Sequence, residues 1–246
     1  MTSRPARRTP RVLVGTSGFS YAAWRGLFYP RTLPAREMLA FYADTFAAVE
    51  INSTFYRMPT AAQLAAWAAE TPARFRFALK APQQITHRMR LRDAGDVLRT
   101  FAARTAVLGR RRGPLLFQLP PNFPIDLDRL AATLEALPDD VEAAFEFRHP
   151  SWFVDAVYGL LSRHGAALCI AEDERLVTPF EATAPFGYLR LRREHYAPRD
   201  LAAWARRITA ASSWRRAYVF LKHDEAGRAP TRARALLGRL GGAAAT

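Results

Sequence analysis

Short runs of hydrophobic residues alternate along the chain with longer segments in which hydrophobic residues recur every three or four positions. The short runs are typical of β-strands, and the longer segments have the periodicity of amphipathic helices. Leu127, Leu130, Leu134 and Leu137, for example, would share one face of a helix. The pattern predicts eight strands, at residues 11–16, 47–52, 74–80, 113–119, 142–148, 166–172, 186–192 and 217–223.

The segments between these strands predict helices at residues 35–45, 60–71, 93–109, 126–137, 152–164, 198–211 and 229–240. Asp126 is placed to cap its helix, and Pro72 and Pro138 mark helix ends. Strands that alternate with helices form a parallel sheet covered by helices. With eight such units in 246 residues, we expect a single (β/α)8 barrel of TIM type over residues 11–241, after a disordered basic arm at 1–10.

Polar side chains occur near the ends of six predicted strands. Side chains alternate between the two faces of a strand, so Phe145 and Phe147 share one face while Glu146 and Arg148 share the other. Active sites of this fold lie where the strands end. We therefore expect one pocket to receive the inward side chains of Glu50, Asn52, Lys80, Gln118, Glu146, Arg148, Arg190 and Lys222.

The loops that follow the first, second, third and fifth strands add aromatic and imidazole side chains. Aromatic rings beside polar groups suit stacking on a sugar or a base. We expect the catalytic groups to be Glu50, Lys80, Glu146 and His149. We expect the substrate to be bound by Tyr21, Trp24, Asn52, Tyr56, His87, Gln118, Arg148, Trp152, Arg190 and Lys222.

The formal net charge of +14 indicates an anionic partner, either a small molecule or nucleic acid. All but two of the 36 basic residues are arginines, and alanine is abundant. A GC-rich coding sequence produces the same bias without selection for binding. The two lysines, Lys80 and Lys222, both fall at predicted strand ends. Lysine is a titratable point charge whereas arginine stays charged, so these two positions point to the pocket.

Several features narrow the class of protein. The sequence has no run of 18 apolar residues, and no apolar segment follows the basic N-terminus. Its one cysteine, Cys169, lies in an apolar run and is expected to be a buried thiol. These features predict a cytoplasmic protein that does not enter a membrane. The segment GTSGFS lacks the GxGxxG pattern, which disfavours a nicotinamide cofactor; we expect no cofactor and no metal, and leave the oligomeric state open.

Five phrases occur in order along the chain: GTSGFSYAAWRGLFYP (15–30), VEINSTFYRMP (49–59), FRFALKAPQQITH (75–87), LLFQLPPNF (115–123) and FEFRHPSWF (145–153). In these phrases the chain resembles the YecE-like family, a domain of unknown function, from about residue 11 to residue 240. The resemblance implies a (β/α) barrel and no particular activity. It also implies a pocket that contains Glu50, Asn52, Tyr56, Lys80, His87, Gln118, Glu146, Arg148 and His149.

The chain departs from this family pattern at its last two strands. Many members read RLHG at the seventh strand and FNN at the end of the eighth. This chain has RLRR (190–193) and FLKHD (220–224). Arg192 therefore stands where many members have a histidine.

Three functional hypotheses follow. The first is a metal-independent acid/base enzyme for an anionic substrate, in which burial and like charge raise the pKa of Glu50 or Glu146. In a variant of this hypothesis, Lys80 loses its proton through desolvation and forms a Schiff base. The second is a metal-dependent phosphodiesterase or sugar isomerase, with ligands from Glu146, His149, Glu172, His87 and His223. The third is a nucleic-acid-associated protein without catalysis, whose binding weakens steeply with salt.

Overall fold

Eight parallel strands form the centre of the protein, in a computed structural model that describes residues 9–173, 176–222 and 227–241. Every strand begins and ends within two residues of its predicted position. The strands are β1 (Arg11–Thr16), β2 (Ala48–Ile51), β3 (Arg76–Lys80), β4 (Arg112–Gln118), β5 (Ala143–Glu146), β6 (Ala167–Glu172), β7 (Phe186–Leu191) and β8 (Arg216–Leu221).

The strands follow one another in the order β1-β8-β7-β6-β5-β4-β3-β2. The sheet curls until its two edges meet: Ser17 and Glu50 form a parallel bridge, and the Gly18 N–H donates to the Glu50 carbonyl at 2.7 Å. A Cβ at Gly15 would lie 1.9 Å from the Ala48 carbonyl oxygen. This close approach requires glycine, and it brings β1 against β2 in a nearly closed α/β barrel.

Helices cover the outside of the barrel, and all seven predicted helices are present. Asp126 caps its helix as expected, since its side chain accepts a hydrogen bond from the Arg129 N–H at 3.0 Å. The helices are α1 (Met38–Thr45), α2 (Ser53–Tyr56), α3 (Ala61–Ala69), α4 (Gly95–Thr105), α5 (Leu127–Glu135), α6 (Asp155–Arg163), α7 (Pro198–Ala210) and α8 (Arg228–Arg239). The short α2 and a π-helical turn at Gln84–Arg88 were not predicted, because single turns are too short to show a period.

Hydrophobic side chains fill two layers, one between the barrel and the helices and one inside the barrel. Phe117 and Phe145 stack in the outer layer with ring centroids 5.0 Å apart. Tyr188 and Phe220 lie in the inner layer with Cys169. Burial raises the pKa of the Cys169 thiol well above its usual value, so Cys169 is a core thiol, as predicted.

Two expectations concern the chain ends and membranes. Residues 1–8 of the predicted N-terminal arm lie outside the described residues, and Pro10 is buried beside β1.

Among the helices of the described ranges, none has both the length and the apolar character needed to cross a bilayer.

Candidate functional site

A buried ion-pair network lies at the carboxyl ends of β2, β5 and β7. Arg190 donates from Nη2 to Glu50 Oε1 at 2.8 Å and from Nη1 to Glu146 Oε2 at 2.5 Å. All three side chains are nearly inaccessible to solvent, with Arg190 only 3% exposed. Strand alternation predicted that Glu50 and Glu146 point into the barrel. Both carboxylates bind the same guanidinium, and its positive charge compensates negative charges that would be costly to bury alone.

Glu50 has hydrogen-bond donors on both carboxylate oxygens. Oε1 accepts from Ser17 Oγ at 2.8 Å and Asn52 Nδ2 at 3.3 Å in addition to Arg190, and Oε2 accepts from the Tyr188 hydroxyl at 2.7 Å. Burial alone would raise the pKa of Glu50. The Arg190 charge and the hydrogen bonds from Tyr188 and Ser17 outweigh burial and lower it. Glu50 is therefore a fixed anion that accepts hydrogen bonds.

Glu146 also has hydrogen-bond donors and cations around its carboxylate. Its Oε1 accepts from Gln118 Nε2 at 2.8 Å and from Arg148 Nε at 3.0 Å, and Arg192 Nη1 lies 3.6 Å away. Burial acts to raise the pKa of Glu146, but the charges of Arg190, Arg148 and Arg192 hold it well below its usual range. The prediction that one of the two carboxylates has a raised pKa is wrong, because Arg190 lies between them.

Lys80 contacts both the buried ion-pair network and the aromatic ring of Phe55. Its Nζ donates to Gln118 Oε1 at 2.7 Å and lies 3.8 Å from the centroid of the Phe55 ring. Burial, followed by the charge of Arg190, lowers the pKa of Lys80 to about 8. A lysine with such a pKa exchanges its proton near neutral pH, which the two carboxylates do not do.

Positive charge exceeds negative charge in this set of side chains. Lys80, Arg148, Arg190 and Arg192 surround only two carboxylates, so two positive charges remain uncompensated. The side chains of Arg148 and Arg192 are 29% and 23% exposed. Within the described residues, the buried Nη1 of Arg192 has no hydrogen-bond acceptor. Part of the surplus thus lies on Arg148 and Arg192, the two arginines of this set that solvent or a ligand reaches.

A recess of about 340 Å³ adjoins the network between the ends of β1 and β2. Tyr21 and Asn52, two of the predicted substrate-binding residues, line it together with Ser53, Gln63 and Trp67. The Tyr21 hydroxyl donates to the Ser17 carbonyl at 2.8 Å. Burial and the nearby Glu50 charge raise the pKa of Tyr21 to about 12, so this hydroxyl keeps its proton at neutral pH.

His87 and Tyr56 both contact the Phe55 ring. His87 meets Phe55 edge-on with ring centroids 4.9 Å apart, and its Nδ1 is 2.9 Å from Thr86 Oγ1. Burial, then the positive charge of Lys80, lowers the pKa of His87, which favours the neutral imidazole. Tyr56 contacts Phe55 at 5.0 Å but is 74% exposed, so it points away from the buried network.

The two predicted substrate-binding tryptophans belong to the hydrophobic core. Trp152 is fully buried, stacks on Phe147 at 4.5 Å and donates from Nε1 to the Phe123 carbonyl at 2.7 Å. Trp24 is also fully buried and packs edge-on against Phe28 at 5.9 Å. The substrate-binding prediction is wrong for both indoles, because each ring is enclosed by the packing that anchors its loop.

His149 and Lys222 do not join the network through any described contact. His149 Nδ1 lies 2.8 Å from Ser151 Oγ and accepts from the Ser151 N–H, so it caps the short turn Pro150–Trp152. The Lys222 N–H donates to the Leu191 carbonyl at 3.0 Å, and Lys222 is half-buried. The proposed catalytic role of His149 and substrate-binding role of Lys222 remain predictions.

The described members of the alternative metal-ligand set have other partners in the structure. Glu172 accepts from Trp204 Nε1 at 2.9 Å and pairs with Arg193 at 3.4 Å, and His223 lies outside the described residues. In the described part of the chain, no three His, Cys, Asp or Glu side chains lie close enough together to hold a metal ion.

Tyr188 is a site residue that sequence reasoning did not select, whereas the sequence placed Ser17 among the polar residues of the loop after the first strand. Tyr188 lies two residues before Arg190 on β7, so alternation alone would have turned both side chains into the barrel. Ser17 directly follows β1 and reaches Glu50 because the barrel closes there. Both positions therefore had a signal in the sequence, strand alternation for Tyr188 and the loop after the first strand for Ser17.

The protein is a TIM-type α/β barrel: its parallel strands close around a packed interior, helices cover the outside, and polar groups lie at the strand ends. Residues 13–246 match the family model described as "Protein of unknown function DUF72", and the chain belongs to this family. The sequence comparison and the structural comparison both support that assignment.

Relatives with similar sequences include the UPF0759 proteins YecE of Escherichia coli strain K12 and YunF of Bacillus subtilis strain 168. The chain is 36% identical to YecE over 113 residues, which cover 46% of this chain and 42% of YecE. It is 30% identical to YunF over 142 residues, which cover 53% of this chain and 49% of YunF. The chain thus spans about half the length of the curated relatives that it matches.

A crystal structure of a DUF72 family protein from Thermotoga maritima has the same fold. It superposes with a TM-score of 0.81 and 26% sequence identity, covering 94% of this chain and 99% of that chain. The barrel architecture therefore recurs over nearly the whole length of both proteins.

Proposed function

We propose that the carboxyl end of the barrel binds an anionic small molecule and promotes proton transfer on it. The observation that carries this proposal is the surplus of two positive charges at the strand ends. Arg148 and Arg192 hold part of that surplus where a ligand reaches it. A phosphate or carboxylate group that accepts from their guanidiniums would form charge-assisted hydrogen bonds, which are stronger than neutral ones.

Lys80 is the proposed proton-transfer group. Its amine contacts the Phe55 ring and Gln118 and has a pKa of about 8, so it takes up and releases a proton near neutral pH. Glu50 and Glu146 act as fixed anions that hold Arg190 in place. This assignment moves the acid/base role from the carboxylates to the lysine while keeping the anionic substrate class.

Pyridoxal phosphate provides a direct test, because its aldehyde condenses with a lysine amine to give an imine and water. Its phosphate group binds where positive charge is available. Borohydride then reduces the imine to a stable secondary amine. The comparison probe is pyridoxal, which lacks the phosphate. With only two lysines in the chain, mass spectrometry of peptides assigns each label to Lys80 or Lys222.

We expect pyridoxal phosphate to label Lys80 about tenfold faster than pyridoxal does, a difference worth about 1.4 kcal/mol. Lys80→Met should abolish this label, and Lys222→Met, the matched control, should retain it. The double variant Arg148→Met/Arg192→Met should remove the advantage of the phosphate. Equal rates for the two probes at Lys80 in the native protein would disprove the anion site.

A further inference from the structure

A second group of cations lines a recess of about 480 Å³ on the loop that joins β3 to α4. Two acidic side chains lie beside this group: Asp93 lines the recess, and Asp126 pairs with Arg129 at 2.9 Å. Positive charge therefore exceeds negative charge here as well. We call the set the arginine recess; its members are Arg88, Arg90, Arg92 and Arg129.

The backbone of this loop is held in an uncommon conformation. Arg90, Leu91 and Asp93 have φ values of 49°, 65° and 49°. The left-handed region is unfavourable for a residue other than glycine, because its Cβ comes too close to the following carbonyl oxygen. Leu91 is 2% exposed and its N–H donates to the Ile85 carbonyl at 3.0 Å, so core packing offsets part of that cost. The loop thus presents Arg90 and Arg92 in a defined arrangement.

Two of the arginines are anchored on the same aromatic ring. The guanidinium carbons of Arg90 and Arg129 lie 5.9 and 5.7 Å from the centroid of Phe123. Arg129 Nη1 also lies 3.4 Å from the Arg90 carbonyl oxygen. Guanidiniums that are already positioned lose little side-chain entropy when an anion binds. The fixed positions of these two guanidiniums favour a compact anionic group as the ligand.

His87 is close to both the mouth of the barrel and the arginine recess, since its pKa is lowered by burial and then by the charges of Lys80, Arg148 and Arg90. Lys80 Nζ lies 3.8 Å from the Phe55 ring, and Phe55 contacts the His87 ring at 4.9 Å. Arg88 is the next residue after His87 in the same π-helical turn. A ligand that lies over Phe55 and His87 would therefore pass from Lys80 to the recess.

We propose that the arginine recess binds the second anionic group of a substrate whose first anionic group is held by Arg148 and Arg192. The substrate class is a small molecule with two separated anionic groups, as in a sugar bisphosphate. This inference rests on the proposed function, because it extends the same site. It goes further by assigning a role to a cluster outside the buried network.

Calorimetric titration with fructose 1,6-bisphosphate and fructose 6-phosphate at one ionic strength tests the inference. The informative variant is Arg88→Ala/Arg92→Ala, since both side chains are exposed. The matched control, Arg74→Ala/Arg206→Ala, removes the same charge from exposed positions elsewhere. Because both double variants change the net charge equally, a difference between them reports the location of the charge and not its amount.

We expect the native protein and the control to bind the bisphosphate about tenfold more tightly than the monophosphate. The Arg88→Ala/Arg92→Ala protein should bind both within about twofold, with its monophosphate affinity unchanged. If the native protein binds the monophosphate through Arg148 and Arg192 but gains nothing from the second phosphate, the recess proposal is overturned and the proposed function stands. If neither ligand binds, both are overturned. Equal losses in both double variants overturn the recess alone.

Discussion

The two ends of the barrel use the same residue types in different surroundings. At the carboxyl end, the side chains of Arg190, Glu50 and Glu146 are 4% exposed or less. At the amino end, the ion pair between Arg216 and Glu142 spans 3.5 Å, with the two side chains 42% and 33% exposed. Four strands begin with an arginine at that end: Arg11, Arg76, Arg112 and Arg216.

The difference shows that burial, and not residue identity, decides what an ion pair does. Removing one member of a buried pair leaves a charge that water cannot solvate, whereas an exposed pair is replaced by hydration at little cost. We therefore expect the amino end to tolerate changes in its charges. The carboxyl end holds its charges in fixed positions, which is what a binding site needs.

The largest effect is expected from Arg190→Met, which leaves Glu50 and Glu146 buried together without their shared cation. The free energy of unfolding should fall by about 3–5 kcal/mol. The matched change at the amino end, Arg216→Met, should cost about 1 kcal/mol or less. Urea unfolding followed by circular dichroism measures both; equal losses would remove the distinction between the two ends.

A smaller, pH-dependent effect is expected at Glu146. Its folded-state pKa is lowered, so the ionised carboxylate contributes stability above the ordinary glutamate pKa of about 4.3, and that contribution is lost as the pH falls below it. Glu146→Gln should therefore lose more stability at pH 7 than at pH 3. Unfolding curves at several pH values test this, and a loss that is independent of pH would contradict the lowered pKa.

The reactivity of Lys80 should respond to charges at its own end of the barrel only. The rate of pyridoxal phosphate labelling should rise with pH around an apparent pKa of about 8. The Glu146 charge raises the pKa of Lys80, so Glu146→Gln should move the profile to lower pH. Glu142→Gln at the amino end should leave the profile in place, and a shift in that control would show that the effect is not local.

The smallest effect is expected from Glu142→Gln itself. This carboxylate accepts from the Tyr218 hydroxyl at 3.3 Å and pairs with the partly exposed Arg216, so the loss of unfolding free energy should stay below about 1 kcal/mol. Added salt should reduce even that difference, because exposed charges are screened. A loss comparable to that of Arg190→Met would show that the amino end is as dependent on its pairs as the carboxyl end.

The sequence by itself determined the strands, the seven long helices and the inward direction of Glu50, Glu146 and Arg190. It did so because hydrophobic periodicity and side-chain alternation are local properties of the backbone. The same alternation would have included Tyr188, two residues before Arg190. The family resemblance in five phrases pointed to the same barrel and to most of the same pocket residues.

Only the tertiary structure decided which partner each of these side chains has. Glu50 and Arg190 are 140 positions apart in the sequence, and their contact depends on the register of the closed barrel. That contact reverses the expected direction of the carboxylate pKa values, and the surroundings of Lys80 make the lysine the titratable group. Trp24 and Trp152 follow strands as a binding residue would, yet packing encloses them. Burial and distance depend on elements far apart in the chain, which no local pattern specifies.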